Sequence, residues 1–153
     1  MIYRKNDFAY ATLAKQLWQI SEEVYEAGSP WTVDQFVSDL EQDTVEYLVF
    51  VDNSRVVGFL GFSKVLDEAE ITNIAISKSM QRQGLARLLL QTFLAEVKKD
   101  LVIQVFLEVR TSNVQAQELY RSARFRTLAI RKNYYQHPIE DAKIMSINLK
   151  GGK

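Results

Sequence analysis

Gly84 sits between two arginines, Arg82 and Arg87, where an apolar helix begins in the stretch QRQGLARLLL, residues 81–90. An alanine there would favour helix by roughly 1 kcal/mol, so the bare backbone has a use that packing alone does not explain. A helix start exposes unpaired N–H groups and a partial positive charge, and a glycine lets an anion approach them closely. Gln81, Arg82, Gln83 and Arg87 place further donors around it. The residues leave two readings open: a glycine that eases a turn, or a phosphate site. The stretch is not a Walker loop, which needs G-K-[ST], nor a dinucleotide fingerprint, which needs two further glycines.

The segment VIQVFLEVR (102–110) alternates two faces, with Ile103, Val105, Leu107 and Val109 on one and Gln104, Phe106, Glu108 and Arg110 on the other. Glu108 therefore lies off the aliphatic face, where position alone makes it a carboxylate paired with a nearby arginine. Tyr120 falls on the helix that follows, and by itself reads as a ring packed in the core with its hydroxyl at the rim. Asn113 or Ser112 caps that helix.

Elements that would position these groups are legible along the chain. MIYR predicts a first strand, and Asp7 an N-cap for a helix burying Leu13, Leu17, Ile20 and Val24. Thr32 and Gln35 have capping-box spacing ahead of the stripe Val33, Phe36, Val37 and Leu40. EYLVFVD and RVVGFLGFSKVL read as a hairpin around Asp52, Asn53 and Ser54, and EITNIAIS as a third strand beside it. Residues 84–98 then form a helix burying Leu85, Leu88, Leu89, Phe93 and Val97, a crossover to a parallel strand. Strands near 125–135 and 143–149 complete the order β-α-α-β-β-β-α-β-α-β-β. This is an α+β class, with a central mixed, mostly antiparallel sheet flanked by helices.

Composition bounds the function. At 153 residues and 47% hydrophobic content, the chain fits a single domain over residues 1–150, with GGK at 151–153 as a frayed tail. Lysine plus arginine equals aspartate plus glutamate at 19 each, so no overall field directs the chain to nucleic acid or an anionic membrane. There is no cysteine and one histidine, His137, which excludes a thiol nucleophile and a Cys/His metal cluster. His137 precedes a proline in a polar loop and is expected to be solvated. Neither a signal peptide nor a membrane-length apolar run is present, so the expected address is cytoplasmic.

Gln81, Arg82, Gln83, Gly84, Leu85 and Ala86 resemble the Q/R-x-x-G-x-G/A signature of the GNAT N-acetyltransferases. Together with NIAIS before it, LEVRTSNVQAQELY after it, then RKNYY and EDAKIM, the chain is similar to the RimI branch of that family. Those enzymes acetylate the N-terminal alanine of small-subunit ribosomal protein eighteen. The likeness covers most of the chain after about Val45 and is weaker over the first two helices, where PW is the distinctive feature. Ala86 stands where many relatives have glycine, which the motif tolerates. Arg124 replaces the glycine of the usual L-G-F ending; a left-handed cap without glycine costs about 1 kcal/mol, which predicts a locally altered turn and unimpaired activity.

The resemblance implies the GNAT fold, acetyl-CoA as co-substrate and no metal. It assigns the diphosphate to the backbone around Arg82, Gln83, Gly84, Leu85, Ala86 and Arg87, and the pantetheine arm to backbone groups of Ile74, Ala75 and Ile76. Asn113 aligns with a CoA-contacting residue, although it is equally a helix cap. Glu108 becomes the general base, acting through an ordered water, and Tyr120 the acid that protonates the leaving thiolate. A phenol near pKa 10 can serve a thiolate whose thiol is near 8.5. For the acceptor, SPW and KNYYQHPIED are aromatic loop segments, which makes Trp31, Tyr134 and Tyr135 the substrate-binding candidates.

An α-amine has a pKa near 7.8 and a lysine near 10.4, so neutral lysine costs about 3.5 kcal/mol more to present. That favours a protein N-terminus, a ribosomal protein's by resemblance, over a lysine side chain or small amine. Neither direct nucleic-acid nor membrane contact is expected. A non-catalytic CoA-sensing module is disfavoured by the presence of both Glu108 and Tyr120.

Overall fold

The alternating and continuous apolar runs fold as strands of one sheet in the computed structural model, which describes residues 1–150. The GGK tail lies outside the described residues. The elements are β1 (Ile2–Arg4), α1 (Tyr10–Val24), α2 (Val33–Leu40), β2 (Val45–Asp52), β3 (Arg55–Val65), β4 (Glu68–Ile76), α3 (Leu85–Lys99), β5 (Gln104–Arg110), α4 (Val114–Ser122), β6 (Arg126–Tyr135) and β7 (Glu140–Asn148). The order is the one the sequence predicts.

The strands lie in the order β1-β2-β3-β4-β5-β7-β6. Only β4 and β5 run parallel, joined by the α3 crossover; every other pair is antiparallel. β2 and β3 meet through Asn53 and Ser54, both left-handed at φ 49 and 64, as the twist of a tight hairpin demands. β3 is an interior strand, paired on both edges, and is buried from Val56 to Phe62.

Two apolar cores cover the two faces. On one, Leu89, Leu90, Phe93 and Val97 of α3 pack on Leu60, Phe62, Ile71, Val105 and Leu107, with Tyr120 and Phe125 extending the cluster. Opposite them, Leu13, Leu17 and Ile20 of α1 and Phe36 and Leu40 of α2 pack on Tyr47, Val49, Phe59 and Ala75. Burying each such side chain is worth about 1.5–3 kcal/mol.

Three local expectations need correction. Leu88 is 42% exposed, and Leu90 takes the buried place. At 100° per residue the stripe 89, 90, 93, 97 leaves Leu88 roughly 150° from its centre. Asp7 does not cap α1, whose N-cap is Ala9. Its carboxylate instead accepts from the Arg4 N–H at 2.9 Å and closes a 3-10 turn at Lys5–Asp7. Arg124 does not alter its turn. It holds φ 79, while Arg124 N–H donates to Arg121 O at 2.9 Å and Phe125 N–H to Tyr120 O at 3.0 Å. This is the Schellman pattern with arginine in the glycine position.

The capping box of α2 forms as expected, with Thr32 N–H to Gln35 Oε1 at 2.8 Å and Gln35 N–H to Thr32 Oγ1 at 3.2 Å. Among the described residues no helix is long and apolar enough to cross a membrane.

Candidate active site

The sheet opens where β4 and β5 part. Their parallel pairing runs from Glu68↔Gln104 to Ile71↔Leu107 and stops, although β4 continues to Ile76 and β5 to Arg110. Beyond that rung the β4 edge facing β5 carries backbone groups without a strand partner, and Ile74, Ala75 and Ile76 all lie in this parted stretch.

The loop after β4 leads to the start of α3. Gly84 is the N-cap of α3, in the left-handed region at φ 80. A Cβ built on it would meet nothing within 4 Å. The glycine is thus required by its φ and leaves open space before the helix end, where the N–H groups of Leu85, Ala86 and Arg87 precede the first intrahelical bond, Leu88 N–H to Gly84 O at 2.9 Å. Arg82, also left-handed at φ 65, and Gln83 and Arg87 are exposed around it. Gln81 is committed elsewhere, its amide donating to Ile76 O at 3.0 Å.

On the other side of the opening, β5 carries Glu108 half-buried on the rim of a groove of ≈ 330 Å³ lined by Ser63, Glu70, Phe106, Glu108, Arg131 and Ile144. Arg131 Nη1 lies 3.6 Å from Glu108 Oε2, the arginine pairing expected from position. At that length, with Arg131 60% exposed, the pair is loose and leaves the carboxylate accessible. Hydrogen bonding to Glu108, together with desolvation, pushes the Tyr134 phenol up. Burial raises Tyr135 to about 12, with the Glu108 charge adding to it. Burial, then the Glu108 charge, also pushes Glu70 above its ordinary value.

Tyr120 is buried against Phe125, ring centroids 5.8 Å apart, and burial pushes its phenol well above the ordinary range. Its proton is therefore firmly held at neutral pH, as a donor's must be. The hydroxyl has no hydrogen-bond partner among the described residues, and the residue as a whole is 4% exposed. Tyr25 and Tyr135 lie close enough to Tyr120 that ionising any one of the three phenols would oppose ionising another, which gathers three neutral phenols at the parting of the strands. Tyr25, raised to about 12 by burial, points its hydroxyl at Asn73 Oδ1 (3.4 Å) and Ile74 O (3.5 Å).

A polar brace fixes α4 to the end of β5. Buried Gln117 donates to Arg110 O at 3.1 Å and Thr111 O at 2.9 Å, and accepts from Lys143 Nζ at 2.9 Å. Glu140 of β7 accepts from Ser112 N–H at 2.6 Å and from Thr111 Oγ1 and Arg110 Nη1, each at 3.2 Å. Tyr120 lies one turn beyond Gln117, so the brace sets its height relative to Glu108.

Glu108, Tyr120, Tyr134 and Tyr135 are thus brought together near one opening, with the Gly84 helix end at its other side. Trp31 is not among the groove residues; it stacks on Phe36 at 5.1 Å and borders a separate depression over α2. Asn113 caps α4, accepting from Ala116 N–H at 3.1 Å. His137 is exposed in the β6–β7 turn. Sequence reasoning missed Tyr25, Glu70, Arg131, Gln117 and Glu140. Only Gln117 left a trace, as a polar residue on the inward side of an otherwise weakly apolar helix.

A mixed sheet parted beside a glycine-capped helix, with a carboxylate and a phenol at the parting, defines an acyltransferase architecture. Residues 10–125 match the Acetyltransferase (GNAT) family, and the chain belongs to it. It is 38% identical over 120 residues, 77% of this chain and 80% of the relative, to the Escherichia coli (strain K12) protein named ribosomal protein bS18-alanine N-acetyltransferase. The Salmonella typhimurium protein of the same name is 36% identical over 132 residues, 85% of this chain and 87% of the relative. Among solved structures, the ribosomal-protein-S18-alanine N-acetyltransferase from Escherichia coli superposes with a TM-score of 0.84 at 33% identity, covering 97% of this chain and 94% of that one.

Proposed function

We propose that this protein transfers the acetyl group of acetyl-CoA to the α-amine at a protein N-terminus, the N-terminal alanine of ribosomal protein bS18 being the acceptor that its relatives support. The observation that carries this reading is the parting of β4 and β5, with the open Gly84 helix end on one side and accessible Glu108 on the other. The diphosphate of CoA takes the N–H groups of Leu85, Ala86 and Arg87, with Arg82, Gln83 and Arg87 around it. The pantetheine arm lies along Ile74, Ala75 and Ile76. The acceptor enters beside Glu108, which Tyr134 hydrogen-bonds and Tyr135 adjoins, while Trp31 borders a separate depression over α2 and meets only a more distant part of the acceptor. Asn113 contributes by holding the start of α4.

The chemistry then follows from the residues. Glu108, through a water, takes a proton from the acceptor ammonium, and the neutral nitrogen attacks the thioester carbonyl, forming the C–N bond. As the C–S bond breaks, Tyr120 gives its proton to the departing sulfur. The phenolate is restored by the proton that the new amide nitrogen loses. General acid and base contributions of this kind are worth about 10²–10⁴ each, so holding the reactants in place supplies much of the rest. The route uses no metal. A protein modifying a ribosomal component acts in the cytoplasm, and no nucleic-acid or membrane surface is needed.

A second reading, acetylation of a lysine or small amine, is favoured only by Glu68 and Glu70 on the groove, which suit a cationic acceptor. Incubation with acetyl-CoA and two peptides decides between them, one with a free N-terminal alanine and one N-terminally blocked with internal lysines. Mass spectrometry should place the acetyl group on the free α-amine. Labelling of the blocked peptide alone would defeat the α-amine assignment.

A further inference from the structure

The last turn of α1 carries two adjacent carboxylates with different tasks. Glu23 Oε1 accepts from the Lys78 N–H at 2.6 Å and from Ser77 Oγ at 3.1 Å, across more than fifty residues of chain. Its neighbour Glu22 faces the other way along the sequence, with Oε2 accepting from the Ser29 N–H at 2.7 Å. Ser77 and Lys78 are where the chain leaves β4 and turns, through a 3-10 turn at Lys78–Met80, toward Gly84. Ser77 is itself buried, its N–H bonded to Val57 O at 2.8 Å. The Gln81 amide holds the far side of the same turn to Ile76 O at 3.0 Å.

On electrostatics alone, Glu23 is badly placed. A carboxylate near a site for a polyanion repels the ligand, and a protein selecting only for phosphate affinity would have none here. Its geometry offers a reason for its presence. A charged acceptor gives backbone and hydroxyl donors shorter, stronger bonds than a neutral one, and these two fix the point from which the helix-end N–H groups of Leu85–Arg87 are aimed. We propose that Glu23 is a positioning residue for the cofactor loop, acting through Ser77 and Lys78 and touching no substrate itself. This rests on the reading of the Gly84 region as the diphosphate site.

Glu23 lies on the exposed side of α1, so replacing it removes no core packing. The two explanations of its charge predict opposite signs. If it merely repels the ligand, removing it tightens CoA; if it positions the loop, removing it weakens CoA. Glu22→Gln is the control, since it removes the same charge from the same helical turn while weakening the contact to the Ser29 N–H instead.

The test is calorimetric titration of CoA into wild type, Glu23→Gln, Glu23→Ala and Glu22→Gln, with peptide acetylation measured alongside. Glu23→Ala should weaken CoA about tenfold and Glu23→Gln, which retains a neutral acceptor, about threefold. At saturating acetyl-CoA, kcat and the peptide KM should stay within about twofold, a split that general loosening would not produce. Glu22→Gln should leave CoA affinity within about twofold. Equal or tighter CoA binding by the Glu23 variants overturns the proposal, and so does an equal loss in Glu22→Gln. Absence of binding by wild type would instead defeat the acetyl-CoA reading itself.

Discussion

Replacing Gly84 with alanine separates the two reasons a glycine can stand at a helix start. Its φ of 80 lies in the left-handed region, where a Cβ costs roughly 1–2 kcal/mol. Nothing within 4 Å would be struck by that Cβ, so no packing penalty adds to the strain. In a chain of this size a loss of about 1 kcal/mol lowers Tm by roughly 2–4 °C. If the glycine only eased a turn, that would be the whole effect. If the diphosphate occupies the open space, the methyl group meets the ligand as well, and CoA affinity should fall at least about tenfold, equivalent to 1.4 kcal/mol. Urea unfolding measures the first quantity and calorimetry with CoA the second. Loss of stability with unchanged CoA affinity would refute the assignment of this helix end to the diphosphate.

Arg124→Gly reverses the situation, because Arg124 holds φ 79 in an intact Schellman turn; the variant should gain about 1 kcal/mol in urea unfolding with activity unchanged. Glu108→Gln should lower kcat by about 10²–10⁴ while CoA titrates with near wild-type affinity, and a comparable loss of CoA binding would make Glu108 structural. Tyr120→Phe should likewise lower kcat without weakening CoA, and most severely with acyl donors whose thiols are poor leaving groups. Hydrogen bonds to Ser112 hold Glu140 below its ordinary 4.5. Its stabilisation is therefore present above the unfolded value and is lost as pH falls through the folded one. Glu140→Gln should flatten the acid limb of a stability–pH profile measured by urea unfolding below about pH 4.5.

The order of elements was readable because each announces itself locally. The Thr32–Gln35 box, the Asn53–Ser54 turn and the alternation around Glu108 depend on neighbours within a few residues, and all three form as expected. What failed depends on partners far away. Leu88 against Leu90 is decided by the phase at which α3 meets the sheet, and Arg124 keeps its strained φ because Phe125 is anchored in the core beside Tyr120. The candidate site divides in the same way. Gly84, Glu108 and Tyr120 were found through motif and family likeness, whereas Tyr25, Glu70 and Arg131 become visible only when α1, β4 and β6 converge on β5. No local pattern marks a residue whose role is set by a strand tens of positions away.

The opening coincides with a bulge in β4 that lies beside a buried aromatic contact between β2 and β3. In the pairing of β3 with β4, Gly61 opposes Asn73 and Phe62 opposes Ile71, which leaves Thr72 as an extra residue in β4. Such a bulge bends the strand and exchanges its faces. Before it, Ala69 and Ile71 face the α3 core; after it, Ile76 does, while Ala75 joins the core under α1 and α2. Beside the bulge, a Cβ on Gly61 would come within 2.8 Å of the Tyr47 ring. That ring is locked in place by its hydroxyl, which donates to Asp39 Oδ2 at 2.6 Å. The missing side chain at Gly61 lets Tyr47 press against β3 where β4 changes direction, and β4 then departs from β5 after Ile71. A buried aromatic contact thus sits beside the bend that precedes the parted edge of Ile74–Ile76, although neither Gly61 nor Tyr47 lines the groove that Glu108 borders.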